Sequence, residues 1–197
     1  MTPCFFALFD TAIGRCGIAW SERGIVAVQL PERSESATRA RLTARWPQAR
    51  EASPPPDIQR AIDAMSALLR GEAIGLSDVV LDLDRIEPFE RSVYEIARTI
   101  MPGATLTYGE IATRLGDRAL ARDVGAALGR NPFPLVVPCH RVLAAGGKVG
   151  GFSANGGVTT KLRLLTIEGA RTSDAPTLFD GDRDFGFSLK PRRRSAR

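Results

Sequence analysis

The 197 residues, 44% hydrophobic and 25% charged, have the composition of a soluble globular protein with room for one large domain or two small ones. No apolar run reaches membrane-spanning length, and the apolar start at residues 4–9 stops at Asp10 with no basic residue before it, which points to a cytoplasmic protein without a membrane partner. Three widely spaced cysteines (Cys4, Cys16, Cys139) and one histidine (His140) argue against a disulfide framework or a zinc site, so neither metal nor cofactor is expected, while the net charge of +5 suits a polyanion.

Residues 4–30 read as a β-meander. Segments 4–9, 17–20 and 25–30 are short, apolar and β-prone, with turn residues at Ile13-Gly14-Arg15 and Glu22-Arg23-Gly24. Residues 35–46 become helical and Arg-rich, and Ser53-Pro54-Pro55-Pro56 marks a loop. Asp57 stands where a helix cap is expected, before an apolar face of Ile58, Ala61, Ile62, Met65, Leu68 and Leu69 that ends at Gly71. Val79, Leu81 and Leu83 alternate with acidic residues as a half-buried strand does. Residues 1–86 thus read as a small α+β domain with no evident chemistry.

Pro88 opens a second unit, residues 87–170. An amphipathic helix over 89–100 stops before Pro102-Gly103. A helix over 108–115, a turn at Gly116 and a helix over 119–130 follow as a helix–turn–helix pattern. Leu135-Val136-Val137 reads as a short buried strand leading into Pro138-Cys139-His140-Arg141. Paired glycines at 146–147, 150–151 and 156–157 bring turns, and a closing helix over 159–168 stops at Gly169. Residues 171–197 lack apolar periodicity and read as a disordered basic tail. The expected fold class is α+β: a small N-terminal β-meander and helix domain, then a mainly helical domain with the helix–turn–helix and the active-site strand.

Three features carry chemistry. Cys139 adjoins the only histidine, and a thiol becomes a strong nucleophile only as thiolate, whose proton a neighbouring imidazole can take. A buried inert thiol is the alternative. Glu168, in the last helical turn, faces the negative end of the helix dipole, a position that a role in orienting His140 would explain; a solvated glutamate near Arg163 or Arg171 is the alternative. The helix over 119–130 is built of small residues, with Gly125 and Gly129 in its interior, so it is suited to close approach by a neighbouring helix or a nucleic-acid groove. Arg122 projects from it.

Asn131-Pro132-Phe133-Pro134-Leu135-Val136-Val137-Pro138-Cys139-His140-Arg141-Val142 closely resembles the active-site signature of the methylated-DNA–protein-cysteine methyltransferases, also called O6-alkylguanine-DNA alkyltransferases. The likeness runs from about Pro88 to Gly169 and includes Thr107-Tyr108-Gly109-Glu110-Ile111-Ala112, Ala121-Arg122-Asp123-Val124-Gly125, Gly150-Gly151-Phe152-Ser153 and Arg163-Leu164-Leu165-Thr166-Ile167-Glu168-Gly169. The resemblance implies irreversible transfer of an alkyl group from O6 of guanine to Cys139, with His140 taking the thiol proton through a bridging water and Glu168 orienting His140. It implies that Tyr108 displaces a phosphate, helps extrude the nucleotide and protonates the leaving base. It implies that Arg122 fills the gap in the stack and that Asn131 is the hinge between recognition helix and active-site segment. Pro134, Phe152 and Ser153 would line the pocket, and the carbonyls of Cys139 and Val142 would accept from the guanine amine. Ala121, Gly125 and Ala126 would face the minor groove.

The implied partner is duplex DNA containing O6-alkylguanine, with O4-alkylthymine as a further substrate, for a monomer with no obligate protein partner. Some relatives hold zinc in the N-terminal domain, and this chain lacks residues for it. Ala154-Asn155 stands where relatives often carry other residues, which leaves pocket width open. Two other functions use parts of the same set: a cysteine hydrolase built on Cys139, His140 and Glu168, and a non-catalytic sensor of alkylated DNA.

Overall fold

The computed structural model describes residues 4–170, so the expected basic tail, 171–197, lies outside the described residues. The apolar alternation at the N-terminus folds as the meander it predicts. Strands β1 (Phe5–Thr11), β2 (Gly14–Ser21) and β3 (Gly24–Gln29) pair antiparallel in sequence. The turn into β3 requires glycine: Gly24 has φ +138°, and a Cβ there would lie 2.7 Å from the Val80 carbonyl oxygen. A fourth strand, β4 (Arg50–Glu51), lies parallel to β1 and gives the order β3-β2-β1-β4. It has no apolar signature, because both its residues are exposed.

Both faces of the sheet are covered. Helix α1 (Glu35–Arg45), capped by Ser34, packs Leu42 against Phe6, Ala19, Val26 and Ala27. Helix α2 (Pro56–Leu69) buries Ile58, Ala61, Ile62, Met65, Leu68 and Leu69 against the face that carries Ala7, Phe9, Ile18 and Trp20. Asp57 is not its cap. Pro55 is, and Pro56 begins the helix with its ring-fixed φ, which leaves Asp57 as a first-turn acid that favours the helix dipole.

The expected strand at 79–83 is reduced to a single bridge between Ile25 and Leu81. Its backbone is engaged elsewhere. The Leu76 and Val79 carbonyls accept from Arg98 at 3.3 and 2.7 Å, and only the Val80 carbonyl and the Asp82 N–H meet Ile25. Asp82 then turns back to accept from Ser21 Oγ at 2.6 Å, which ends the pairing.

The remaining elements are α3 (Pro88–Arg98), β5 (Leu106–Thr107), α4 (Tyr108–Arg114), α5 (Ala121–Gly129), β6 (Val142–Leu143) and α6 (Val158–Ile167), with β5 and β6 paired in parallel. The second helix of the helix–turn–helix starts two residues later than predicted. A 3-10 turn over Arg118–Leu120 precedes it, and the Asp117 side chain accepts from the Ala119 N–H at 2.8 Å. Helix α3 backs both partners, and the buried Tyr94 hydroxyl donates to the Ala127 carbonyl at 3.1 Å.

The apolar run Leu135-Val136-Val137 is not a strand. Leu135 has φ +75°, the only non-glycine positive φ among the described residues, and the run folds into a buried turn. Asn131 straps that turn: its Oδ1 accepts from the Phe133 N–H at 2.9 Å and its Nδ2 donates to the Val137 carbonyl at 2.8 Å. The strand of the active-site segment is β6, after Cys139. One buried cluster runs from Ala7 and Ile18 through Met65, Tyr94 and Phe133 to Leu164. The Val28 N–H donates to the Pro132 carbonyl at 2.8 Å, so the sheet edge supports the turn that leads to Cys139.

Candidate active site

Cys139 opens a 3-10 turn (Cys139–Arg141) whose three side chains are all buried. The turn follows directly on the strapped residues 131–137, and the Cys139 N–H donates to the Val137 carbonyl at 2.8 Å. His140 and Arg141 then point toward the C-terminus of α6. There His140 Nε2 lies 2.9 Å from Glu168 Oε1, and Arg141 holds the same carboxylate twice, Nε to Oε2 at 2.7 Å and Nη2 to Oε1 at 2.8 Å. Arg141 Nη1 also donates to the Ile100 carbonyl. Glu168 has only 3% of its side chain exposed, so it is no solvated surface acid.

The protonation states follow from these contacts. Burial works against the Glu168 charge, yet His140 and Arg141 outweigh it and bring the carboxyl down to about 2. Burial lowers the pKa of His140 despite the pull of Glu168, so the imidazole is neutral at pH 7. A carboxylate only accepts, so Nε2 carries the ring proton and Nδ1 keeps a bare lone pair. Nδ1 is buried and has no hydrogen-bond partner among the described residues. Burial raises the Cys139 thiol, while the Asn131 side chain, the Lys161 ammonium and the N–H groups of Cys139 and His140 oppose the rise. A thiol so placed needs a base, and a neutral imidazole with a free lone pair is the next residue.

Tyr108 is the first residue of α4, fixed there by a capping box: the Glu110 N–H donates to Thr107 Oγ1 at 3.2 Å and the Thr107 N–H donates to Glu110 Oε2 at 2.6 Å. Its ring lies between α5 and the glycine loop. A Cβ on Gly150 would be 3.5 Å from it, and one on Gly125 would be 3.9 Å away. Burial raises its pKa, with the Cys139 charge adding to the rise, which keeps the hydroxyl protonated. Phe152 and Pro134 are half-buried and Ser153 is exposed. The Val142 carbonyl already accepts from Lys161 Nζ at 2.6 Å, which occupies one of its two lone pairs.

On α5, Arg122 and Ala126 are exposed, and Ala121 and Gly125 are half-buried. A Cβ added to Gly129 would meet nothing within 4 Å, and one on Gly125 would make only ordinary contact with Tyr108. Packing inside the protein therefore does not require these glycines. The outer face of α5 is kept bare, with the exposed Arg118 in the 3-10 turn that leads into it, while Arg130 is held by Glu90 at 2.7 Å.

Sequence reasoning assigned no role to Arg141 or Lys161. Arg141 carried a signal, since an arginine beside a Cys-His pair has a carboxylate to find. So did Lys161, which stands three and four residues before Leu164 and Leu165 on the apolar stripe of α6. Among the described residues, no group of three His, Cys, Asp or Glu side chains is placed to hold a metal, and no helix is long and apolar enough to cross a membrane.

Comparison with known proteins adds names to this geometry. A family model described as 6-O-methylguanine DNA methyltransferase, DNA binding domain, matches residues 88–170. A methylated-DNA–protein-cysteine methyltransferase of Methanothermobacter thermautotrophicus is 36% identical over 153 residues, covering 78% of each chain. One from Mycobacterium tuberculosis is 43% identical over 120 residues, covering 61% of this chain and 70% of the relative. The crystal structure of Mycobacterium tuberculosis OGT in complex with DNA superposes with a TM-score of 0.67 at 32% identity, covering 84% of this chain and 92% of that one. The O6-methylguanine-DNA methyltransferase of Pyrococcus kodakaraensis superposes with a TM-score of 0.64 at 25% identity, covering 85% and 99%.

Proposed function

This chain belongs to the methylated-DNA–protein-cysteine methyltransferase family, and from that premise we propose that it strips alkyl groups from O6 of guanine in duplex DNA onto Cys139 and is consumed in doing so. The reaction is direct-reversal DNA repair by alkyl transfer to a cysteine, and DNA is the partner. The observation that carries the assignment to Cys139 is the buried His140–Glu168 pair, with His140 the adjoining residue and its Nδ1 without a partner among the described residues.

The target atom lies inside the duplex, so the nucleotide must leave the stack first, at a cost of a few kcal/mol. The bare face of α5 enters the minor groove, with Ala121, Gly125 and Ala126 allowing close approach. Arg122 takes the place of the extruded base, and Tyr108, at the start of α4, turns the phosphate outward. Pro134, Phe152 and Ser153 then border the base, and the carbonyls of Cys139 and Val142 receive its exocyclic amine.

In the pocket, a water passes the thiol proton to His140 Nδ1, and Glu168 stabilises the resulting imidazolium. The thiolate attacks the alkyl carbon, so the S–C bond forms as the C–O6 bond breaks. The bonding electrons remain on guanine, which takes a proton from the Tyr108 hydroxyl. Through water, the His140 imidazolium then returns a proton to the Tyr108 phenolate, so both residues end as they began, and the net change is one S–C bond for one C–O bond with one proton moved from thiol to base. A thioether does not hydrolyse as a thioester does, so each molecule reacts once. Asn131 keeps the Cys139 turn fixed throughout. The protein acts as a monomer in the cytoplasm, without metal or cofactor.

The test is stoichiometry. Titrating O6-methylguanine duplex with protein yields repaired guanine up to one equivalent per molecule and no more. Sustained turnover would replace this reading with a cysteine hydrolase, and no repair at all would leave a lesion sensor.

A further inference from the structure

Away from Cys139, a cavity of about 220 Å3 lies where the sheet, the end of α1, the linker before α3 and the turn at Pro132 meet. Val26, Ile86, Pro132 and Phe133 give it an apolar floor, and the half-buried Trp46, which ends α1, stands at its wall. The charged groups around it fall into two sets. Asp82 and Asp84 are both taken by Arg23, the former at 3.3 Å, and Asp82 also accepts from Ser21 Oγ at 2.6 Å. Arg45 and Arg85 have no such partner: among the described residues, neither makes a hydrogen bond or an ion pair.

Arg85 is nevertheless held in place, because its guanidinium carbon lies 4.6 Å from the centroid of the Trp46 ring. Stacking uses the flat face of a guanidinium and leaves the N–H groups at its edge free. That edge matches the paired oxygens of a carboxylate or a phosphate. Arg45 is one residue before Trp46, in the last turn of α1, and lines the same cavity.

We propose that this cavity is a binding site for a small aromatic oxyanion, its ring resting on the apolar floor and its carboxylate or phosphate bridging Arg45 and Arg85. Size sets the limit. Drug-sized ligands occupy about 300–1,000 Å3, so the cavity takes one ring with its anionic group and not a whole nucleotide. An occupant touches both the N-terminal domain and the turn that leads to Cys139, so it stabilises the fold as its concentration rises. The site does not depend on the chemistry assigned to Cys139.

The experiment uses the full chain with both tryptophans labelled with 15N and three probes of similar shape: benzoate, phenyl phosphate and neutral benzamide. The Trp46 indole N–H resonance shifts saturably with the oxyanions, and the more tightly bound of the two names the anionic group. Trp20, 4% exposed within the core, does not move, and benzamide moves neither resonance. In the double variant Arg45→Gln, Arg85→Gln the affinity falls at least about tenfold; both side chains are exposed, so the fold survives. Cys4 lines the cavity and gives a second readout. Maleimide labelling of the Cys4 peptide slows when the oxyanion is bound to wild type and is unaffected by it in the double variant. No saturable Trp46 shift with either oxyanion, an equal shift with benzamide, or undiminished affinity in the double variant overturns the proposal. The benzamide comparison needs no variant, so it decides even if the double variant does not fold.

Discussion

Replacing Glu168 by Gln isolates the charge that organises the site. The variant keeps the shape but leaves Arg141, 5% exposed, without its carboxylate, and leaves His140 Nε2 facing a neutral amide. Removing one partner from a buried pair costs about 3–5 kcal/mol. The proton linkage gives a similar figure. Burial opposes the Glu168 charge, but His140 and Arg141 take the carboxyl from 4.5 to about 2, and at 1.36 kcal/mol per unit that is about 3 kcal/mol. Because the folded value is the lower one, this stability is fully present above about pH 4.5 and is lost as pH falls toward 2. Urea denaturation of wild type and Glu168→Gln should therefore differ by about 3 kcal/mol at pH 7, and the gap should narrow steadily below pH 4.5. Equal stabilities at pH 7, or a gap that does not change with pH, would refute the reasoning.

Arg122→Ala slows repair of duplex DNA while sparing reaction with free O6-alkylated guanine base; equal losses on both would remove Arg122 from base extrusion. Gly125→Ala raises thermal stability by up to about 1 kcal/mol, because a helical glycine gains from a Cβ that has room, yet weakens duplex binding by thickening the face that enters the groove. A gain in stability with unchanged affinity would show that α5 does not approach DNA at that point. Tyr94→Phe costs about 1 kcal/mol by removing the buried bond between α3 and α5 and leaving the Ala127 carbonyl with the Arg130 N–H, measured by urea denaturation, and a neutral result would mean that α3 and α5 do not depend on that bond.

Much of the fold was legible because apolar periodicity survives in the sequence. The meander, α2, α3 and α6 all appear close to where their patterns put them. The misses share a cause: local pattern lost to backbone groups committed elsewhere. Val79, Leu81 and Leu83 alternate like a strand, but Arg98 takes the Val79 carbonyl, and only the Val80 carbonyl and the Asp82 N–H meet the Ile25 backbone. Leu135-Val136-Val137 has strand composition, but the Asn131 side chain, bonded to Phe133 and Val137, closes it into a turn, and an apolar pattern does not register such side-chain bonds. In the site, Cys139, His140 and Glu168 were found as residues of the right type, whereas the link between His140 and Glu168 required α6 to return across the turn. Lys161 went unremarked because a lysine among apolar residues reads as a solvated tip, and only packing reveals that its head is enclosed.

The central claim is that Cys139 is both reactant and end point. Incubating the protein with excess O6-methylguanine duplex and analysing its peptides by mass tests this directly. The account predicts that the peptide carrying Cys139 gains one CH2 unit in every molecule, while the peptides carrying Cys4 and Cys16 are unchanged. Repaired DNA with an unmodified Cys139 would contradict it.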